Sequence, residues 1–401
     1  MDNYRTALKI IKKLKQAGFN ALFAGGCVRD MLLGEQPNDY DVATSAKPEQ
    51  VIKLFKRTLK VGAEFGVVIV LIGKQQVEVA TFRTEGGYAD GRHPSYVDFA
   101  DAQEDAERRD FTVNAMFYDP LNEKIVDYVH GGEDLEKKII RTVGDPEHRF
   151  GEDYLRMLRA VRFSAQLDFE IEQNTYEIIC EKADDITVIS GERIAAELER
   201  MLACRGRAEG VEKFIATGLG KAIFPGFEEQ KAMFGAKVLE NLPCRPDMGL
   251  GLACVFAGFA TEFAVKSCKV LKLSGYRSGK LQSLLKQRSK LLNPDMSLAE
   301  LKLTAGDEFF EDLFSLQTAI QKARGKSVLP LQKLRERIEK LDSAELRPDP
   351  LLNGHELMEL GIEEGKRLGE LQRKMYIAQL NEEINSKEEA TEWVKRELRK
   401  G

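Results

Sequence analysis

The chain has 401 residues, 43% of them hydrophobic and 31% charged, with a formal net charge of −5. This length is enough for a large buried core and for more than one domain. No apolar run approaches the roughly 20 residues of a membrane span, and the polar start lacks the apolar core of a signal peptide, so we expect a cytoplasmic protein with no membrane partner. The acidic net charge excludes attraction of polyanions over the whole surface, so nucleic-acid binding requires a local basic patch.

The first part of the chain mixes helix and strand patterns. Apolar residues recur at helical spacing between Ala7 and Leu14 and predict an opening helix, followed by a short strand at 20–24. The apolar run at 66–72 and the alternating residues at 77–81 predict two strands joined as a hairpin. We therefore expect an α+β domain here.

Two aspartates stand at alternate positions after the first strand and a short helix. Asp39 and Asp41 flank Tyr40 in a segment that we predict to be a second strand. Alternate residues of a strand share a face, so both carboxylates point to one side while Tyr40 points to the other. Two parallel carboxylates can hold Mg²⁺, which also takes phosphate oxygens, and paired metals can activate an attacking hydroxyl and neutralise a departing pyrophosphate. Asp39 and Asp41 are therefore the predicted catalytic and metal-binding residues.

A pair of glycines precedes these aspartates. Gly25 and Gly26 let the backbone approach a phosphate closely, and Arg29 on the following helix adds positive charge where a triphosphate would lie. Neither a paired glycine nor an acidic pair is specific alone, but their combination at this spacing indicates a nucleotide site. Glu78, in the hairpin, is either a third carboxylate near the metals or a surface acid.

From about Gly151 onward, strand patterns nearly vanish and helical patterns replace them. Prolines interrupt these helices within 241–248 and 346–353, which we predict to be joints. These changes predict an α+β part over roughly the first 145 residues, an all-helical part after it, and a last helical segment that begins at the second joint.

One long segment is basic. No Asp or Glu occurs from Phe263 to Pro294, so this segment is either a local patch for nucleic acid or a solvated helix face balanced by acids elsewhere. Its cations are Lys266, Lys269, Lys272, Arg277, Lys280, Lys286, Arg288 and Lys290.

Four motifs resemble, in order, those of a known family. GGCVRD at 25–30 and DYD at 39–41 resemble the signature of the polymerase-beta-like nucleotidyltransferases, in the branch of bacterial tRNA nucleotidyltransferases and poly(A) polymerases. RRDFTVNA at 108–115 resembles the RRDFTxNA motif of that family, and EDYLR at 152–156 resembles its EDxxR motif. The resemblance implies an α+β polymerase-beta-like head with a mixed β-sheet at 1–145, followed by an elongated all-α part. This part would consist of a neck at 146–205 for base recognition, a body at 206–345 for RNA binding and a tail at 346–401.

The EDxxR motif carries side chains suited to recognising a base. We place Glu152, Arg156 and Arg159 on one stripe of a single predicted helix, with Asp153 and Arg162 beside it. Cytosine and adenine each present an exocyclic amine beside an unprotonated ring nitrogen, so one carboxylate and one guanidinium can pair with either. Guanine and uracil reverse this pattern and leave both groups unpaired. Asp153 and Arg156 are therefore predicted to select C and A without a template.

The resemblance implies the same role for Asp153 and Arg156 and adds further contacts. It implies that Asp110 contacts the ribose, and that three arginines help to bind the nucleotide: Arg109, Arg159 and Arg162. It also implies that Arg108 and Asn114 shape the RRD motif. The helix predicted after Ser190 resembles a family helix that braces the neck. Its charged residues are therefore interpreted as structural: Glu192, Arg193, Glu197 and Arg200.

The function implied is that of a tRNA nucleotidyltransferase that adds CCA to the tRNA 3′ end from CTP and ATP. The polar segment at 84–94 is predicted to be a mobile loop. In the family, enzymes that add only the two cytidines have this loop shortened. The loop here has its full length, which disfavours CC-only addition. Addition of A alone and poly(A) synthesis both remain open.

Other classes fit the sequence less well. An antibiotic nucleotidyltransferase would share the metal pair, but it would lack the helical extension and the EDxxR face. A non-catalytic RNA-binding protein would have no need of Asp39 and Asp41. None of the four histidines is followed by Asp, which argues against an HD phosphohydrolase activity. Six scattered cysteines without a C-x-x-C pair argue against a disulfide framework or a structural zinc site.

Overall fold

A computed structural model describes residues 3–60, 62, 65–86, 96–342 and 346–400. The chain divides into two compact units. One consists of Met1–Met233 with Ser267–Leu273, and the other of Phe234–Lys266 with Ser274–Gly401. Within the described ranges, no helix is long and apolar enough to cross a membrane.

All strands assigned among the described residues belong to the first unit. They are β1 Ala21–Ala24, β2 Asp41–Thr44, β3 Thr58–Leu59, β4 Val67–Ile72, β5 Gln75–Thr81, β6 Arg83–Gly86, β7 Tyr96–Phe99, β8 Phe117–Asp119, β9 Lys124–Val126, β10 Ile139–Ile140 and β11 Glu170–Ile171. Seven of them form one sheet in the order β3-β4-β5-β2-β1-β8-β9. β2 and β5 pair in parallel and the other neighbours are antiparallel, which confirms the predicted mixed sheet and the β4–β5 hairpin.

Short helices accompany the sheet in the head. They are α1 Asn3–Gln16, α2 Gly26–Leu32, α3 Pro48–Leu54, α4 Ala102–Glu107 and α5 Gly131–Glu136. The apolar stripe of α1, including Ile10 and Leu14, is fully buried against β1, β2 and β5. Ala102 and Ala106 of α4 belong to a second buried cluster that includes Phe82 and Phe117. Removing these apolar surfaces from water stabilises the sheet by roughly 25 cal/mol per Å².

The rest of the first unit is almost entirely helical. Its helices are α6 Pro146–Glu152, α7 Leu155–Leu167, α8 Gln173–Glu181, α9 Gly191–Leu202, α10 Arg207–Ala216 and α11 Leu219–Ile223. The exception to the predicted all-α neck is β11, which pairs in parallel with β10. This two-residue ladder is too short to leave an alternating pattern in the sequence.

Helices also form the second unit. The remaining helices of the chain, the first and third of which run across the division between the units, are α12 Glu229–Glu240, α13 Met248–Val255, α14 Thr261–Val270, α15 Gly275–Gln287, α16 Leu298–Ala305, α17 Phe310–Ala323, α18 Leu329–Ile338, α19 Gly354–Glu359, α20 Lys366–Leu380 and α21 Lys387–Lys400. The predicted joints at 241–248 and 346–353 fall between helices, apart from Met248, which begins α13. The last three helices share a buried cluster that includes Leu357, Met375 and Val394.

Two cations of the basic segment are packed inside the second unit. Lys280 is 7% exposed, and its Nζ lies 2.6 Å from Asp247 and 2.5 Å from Asp312. Arg288 is half-buried and donates from Nη2 to the carbonyl oxygen of Phe259 at 3.1 Å. A buried ammonium needs paired carboxylates, and these come from positions distant in the sequence. Lys280 therefore does not contribute to a basic surface patch.

The predicted mobile loop at 84–94 begins in β6, which pairs with β7. Residues 87–94 lie outside the described residues.

Candidate active site

Asp39 and Asp41 line one cavity of the first unit. β2 begins at Asp41, so Asp39 lies just before the strand rather than within it. Tyr40 is 9% exposed, and its ring packs against Tyr4 and Phe23 with centroid distances of 5.4 and 5.3 Å. The buried aromatic side chain anchors the segment, and the two carboxylates face the cavity on either side of it.

Glu78 lies on the wall of the same cavity, with Gln76 and Ile69. The parallel pairing of β2 with β5 sets Val42 opposite Val79, which brings the residues that precede them, Asp41 and Glu78, side by side. Of the two alternatives for Glu78, the structure therefore places it beside the aspartates.

The charges in this cavity suit a divalent cation. The pKa of Asp41 is raised to about 6. The main cause is that surrounding protein displaces water from the carboxyl group, and the second is the negative charge of Glu78. The charge of Arg109 acts in the opposite direction. Among the described side chains, no group of three His, Cys, Asp or Glu residues is arranged to hold a metal ion. Mg²⁺ does not need such a group, because it commonly takes one or two carboxylates and completes its shell with waters and phosphate oxygens. The aspartate pair therefore fits this ion.

A second cavity, of about 440 Å³, shares Asp41 with the first. Six arginines and three aspartates line it, so its wall carries an excess of positive charge, which favours a polyphosphate. Its lining residues are Gly25, Gly26, Arg29, Asp41, Arg108, Arg109, Asp110, Asn114, Asp153, Leu155, Arg156, Arg159, Phe163 and Arg193.

Gly25, in the turn after β1, and Arg29, on helix α2, form one part of the wall of this cavity. Gly25 has a φ of +73°, which favours glycine, and a Cβ at this position would lie 2.9 Å from Nη1 of Arg109. Arg29 is only 4% exposed and donates from Nη1 to Oδ1 of Asn114 at 2.6 Å and from Nη2 to Asp30 at 2.6 Å. These bonds fix the guanidinium of Arg29 in the wall.

Asp110 is held by an ion pair across the cavity. Its Oδ2 accepts from Nε of Arg159 at 2.9 Å, and its Oδ1 accepts from the backbone N–H of Phe111 at 2.8 Å. Burial alone would raise the pKa of Asp110, but the charge and hydrogen bonds of Arg159 outweigh it and hold that pKa below the ordinary value. The RRD motif and the neck helix α7 are thereby joined at this ion pair.

The EDxxR motif does not lie on one helix. α6 ends at Glu152, and Asp153 has an extended backbone with φ −156° and ψ 101° before α7 begins at Leu155. The predicted single stripe through Glu152, Arg156 and Arg159 is therefore wrong, because the chain turns at Asp153. The Asp153 carboxylate accepts from the backbone N–H of Leu155 at 3.1 Å and so caps the second helix.

The other predicted nucleotide residues on α7 are divided between the cavity and the core. Arg156 and Arg159 line the cavity. Arg162 does not line it. It is 5% exposed, it pairs with the buried Glu197, and its guanidinium lies 3.7 Å from the ring centroid of Phe163. The structure therefore places Arg162 behind the wall.

The main residue missed from the sequence is Arg193 of α9. It lines the cavity and donates from Nη2 to Oδ2 of Asp153 at 2.6 Å. Arg108 and Asn114, expected only to shape the RRD motif, also lie on the wall. A basic residue near the start of a predicted neck helix was the available signal for Arg193, but no spacing rule links it to Asp153 forty positions earlier.

Family models match two parts of the chain. The model described as the poly A polymerase head domain matches residues 21–141, and the model described as a probable RNA and SrmB-binding site of polymerase A matches residues 168–231. The first match contains both aspartates of the first cavity and the three arginines that the head contributes to the second cavity: Arg29, Arg108 and Arg109. Fold and site together define a nucleotidyltransferase.

Individual relatives agree with this class. The chain is 45% identical to the CCA-adding enzyme of Enterococcus faecalis over 245 residues, which cover 61% of this chain and 59% of that enzyme, less than two thirds of its length. It is 35% identical to the CCA-adding enzyme of Bacillus velezensis over 398 residues, which cover 97% of each chain. A crystal structure of the Bacillus stearothermophilus CCA-adding enzyme in complex with CTP is similar over 100% of this chain and 98% of that one, with 31% identity and a TM-score of 0.84. The chain belongs to the family of CCA-adding enzymes.

Proposed function

We propose that this chain adds C and A residues from CTP and ATP to the 3′ end of tRNA without a nucleic-acid template and releases pyrophosphate. The observation that carries the proposal is the position of Asp41, which lies on the wall of the first cavity, with Asp39 and Glu78, and also on the wall of the second cavity, with the six arginines. A nucleotide whose triphosphate lies near Gly25, Gly26 and Arg29 would have its reacting phosphorus close to the aspartate pair.

Asp39 and Asp41 would hold Mg²⁺ at this junction. When bound, the ions activate the terminal hydroxyl of the RNA and neutralise the charge that develops on the pyrophosphate. Arg29 and Arg109 would orient the phosphates through charged N–H donors, which bind phosphate oxygens strongly. Asp110, fixed by Arg159, would contact the ribose.

Asp153 and Arg156 would select the base, and both have hydrogen-bonding capacity to spare. An ionised carboxylate offers about four acceptor positions, and the described contacts of Asp153 use two of them, one for Leu155 and one for Arg193. The contacts of Arg156, to Glu152 and to the carbonyl of Arg149, both come from Nη1. Nε and Nη2 make no hydrogen bond to another described residue and would donate to the ring nitrogen of C or A, while Asp153 would accept from the exocyclic amine.

The predicted domains extend this proposal to the rest of the chain. Residues 1–145 would carry the chemistry and 146–205 the base recognition, while 206–345 would bind RNA. The family match at 168–231 to a probable RNA-binding site supports an RNA partner.

The proposal is tested with purified protein, Mg²⁺ and two tRNA substrates, one ending before CCA and one ending after CC. Labelled CTP and ATP are supplied separately and together. Incorporation of both on the shorter tRNA supports CCA addition, whereas incorporation of A only on the CC-ended tRNA supports an A-adding enzyme. Long A tracts on unrelated RNA identify a poly(A) polymerase, and no incorporation at all refutes the proposed activity.

A further inference from the structure

Asp105 of α4 holds the two arginines of the RRD motif. It is 1% exposed and does not line the second cavity, where we propose that the nucleotide binds. Its Oδ1 accepts from Nη2 of Arg108 at 2.7 Å, and its Oδ2 accepts from Nη2 of Arg109 at 3.0 Å. Oδ1 also lies 3.3 Å from the backbone N–H of Arg83, at the start of β6. One enclosed carboxylate therefore accepts hydrogen bonds from three residues in two parts of the head.

The position of Arg109 depends on this carboxylate. Nε and Nη2 of Arg109 both face Asp105, at 3.3 and 3.0 Å, while Nη1 donates to the carbonyl of Asn114 at 3.2 Å. The guanidinium also lies 5.1 Å from the ring centroid of Phe117. A guanidinium has five N–H donors, so these bonds leave one N–H on each Nη group without an acceptor among the described residues. Those two donors belong to a side chain that has little freedom to turn away from the cavity.

Asp105 stays ionised in this setting. Burial alone would raise its pKa, but the charges and hydrogen bonds of Arg109 and Arg108 outweigh burial and lower it. A carboxylate that is buried and paired with two guanidinium groups fixes their geometry, because any rotation would leave a charge without its partner. The spacing in EDAERR, with Asp105 three and four residues before the two arginines, brings these groups together on one helical turn.

We propose that Asp105 is a positioning residue, which holds the guanidinium of Arg109 against Gly25 and thereby sets the affinity of the cavity for nucleotide phosphates. The inference rests on the proposed function, since it takes Arg109 to contact the nucleotide. Asp105 itself lies outside the cavity, and the proposal takes Arg109, rather than Arg108, as the residue through which it acts.

The test compares Asp105→Asn with a matched control, Asp119→Asn. Asp119 is also buried in the head and also pairs with a cation, Lys15, at 2.5 Å, but it lies outside both cavities. The Kd for CTP is measured by calorimetry without tRNA, and KM and kcat are measured with tRNA. We expect Asp105→Asn to raise Kd and KM about tenfold, since charge-assisted hydrogen bonds of this kind contribute measurably to affinity. We expect kcat to change much less, and Asp119→Asn to bind CTP like the unchanged protein.

A double-mutant cycle separates positioning from general stability. If Asp105 acts through Arg109, Asp105→Asn adds nothing to the loss of affinity caused by Arg109→Ala. Additive losses in the double variant, or unchanged CTP affinity in Asp105→Asn while Arg109→Ala binds weakly, would overturn the inference. Unchanged affinity in Arg109→Ala would instead refute the proposed placement of the nucleotide.

A third variant keeps the inference testable if Asp105→Asn does not fold. If Asp105→Asn does not give folded protein, Asp105→Glu keeps the charge and moves the carboxylate by one methylene. Positioning requires weaker CTP binding in this variant, and a purely structural role requires the affinity of the unchanged protein.

Discussion

Nη2 of Arg193 lies 2.6 Å from Oδ2 of Asp153, so helix α9 holds the carboxylate at the break between α6 and α7. Without this partner, the carboxylate would keep only its helix-capping bond to Leu155. Through this contact, α9 orients the carboxylate that we propose binds the base.

Arg193→Ala is therefore expected to weaken base discrimination. The freed carboxylate can rotate, so the preference for C and A over U and G should fall about tenfold, the effect of losing one charge-assisted hydrogen bond. Single-nucleotide incorporation with each of the four triphosphates measures it. Arg205→Ala, in the same unit and outside this cavity, is the control and should keep the original preference. Equal preferences in the two variants would contradict the prediction.

Arg156→Ala should also weaken base discrimination, because Arg156 is the second of the two side chains proposed to bind the base. The variant keeps the acceptor of Asp153 but loses the donor to the ring nitrogen, so uracil and guanine are no longer excluded by an unpaired guanidinium. The ratio of kcat/KM for CTP and UTP on one tRNA measures the change. An unaltered ratio, together with a lower overall rate, would show that Arg156 contributes to stability rather than to selection.

Asp39→Ala should abolish nucleotide transfer and leave RNA binding nearly unchanged. The carboxylate is proposed to hold a metal ion, whereas RNA affinity depends mainly on contacts to the phosphate backbone. Incorporation assays and filter binding of tRNA measure the two properties. Glu49→Ala on the exposed side of α3 is the matched acidic control and should transfer normally. Near-normal rates for Asp39→Ala would refute the metal assignment.

Gly25→Ala should reduce nucleotide affinity, because its new Cβ would lie 2.9 Å from Nη1 of Arg109 and displace it. Gly34→Ala is the control, since Gly34 has a φ of +74° but a Cβ added there would meet no atom within 4 Å. Both variants should lose stability from the positive φ, by about 1 kcal/mol. Only Gly25→Ala should also raise the Kd for CTP, and a similar rise in both would point to backbone strain alone.

The ion pair between Asp110 and Arg159 should make stability dependent on pH. Because the pKa of Asp110 is lowered in the folded chain, its contribution is fully present above the ordinary Asp pKa of about 3.9 and is lost as the pH falls through the lower folded value. The free energy of unfolding of the unchanged protein should therefore exceed that of Asp110→Asn at neutral pH, with the difference shrinking below about pH 4. Urea denaturation across this range measures it. A difference independent of pH would exclude the proposed charge contribution.

The sequence predicted the head better than the neck. The opening helix, the hairpin and the short helix after Gly25 follow from local periodicity and turn chemistry, which act over a few residues. The same rules placed Glu152 and Arg156 on one helix, although Asp153 interrupts it. A capping aspartate inside a helical pattern looks like an ordinary helical residue until the chain on either side is seen to pack separately.

Long-range pairing explains the other differences. Arg162 was expected in the site but turns inward to Glu197, and Arg193 was expected to be structural but faces Asp153. Lys280, a candidate for a basic patch, is enclosed between two aspartates. In each case the partner lies more than thirty positions away, and no spacing rule connects the two side chains.

Asp41 stands on a wall common to two cavities, and the segments that build those cavities are different stretches of chain. The carboxylates come from β2, the residues just before it and β5. Asp153 comes from the break between α6 and α7, and Arg156 and Arg193 come from the helices α7 and α9. With the roles proposed above, substitutions in the helices would alter which nucleotide is accepted while the proposed metal-binding aspartates stay in place.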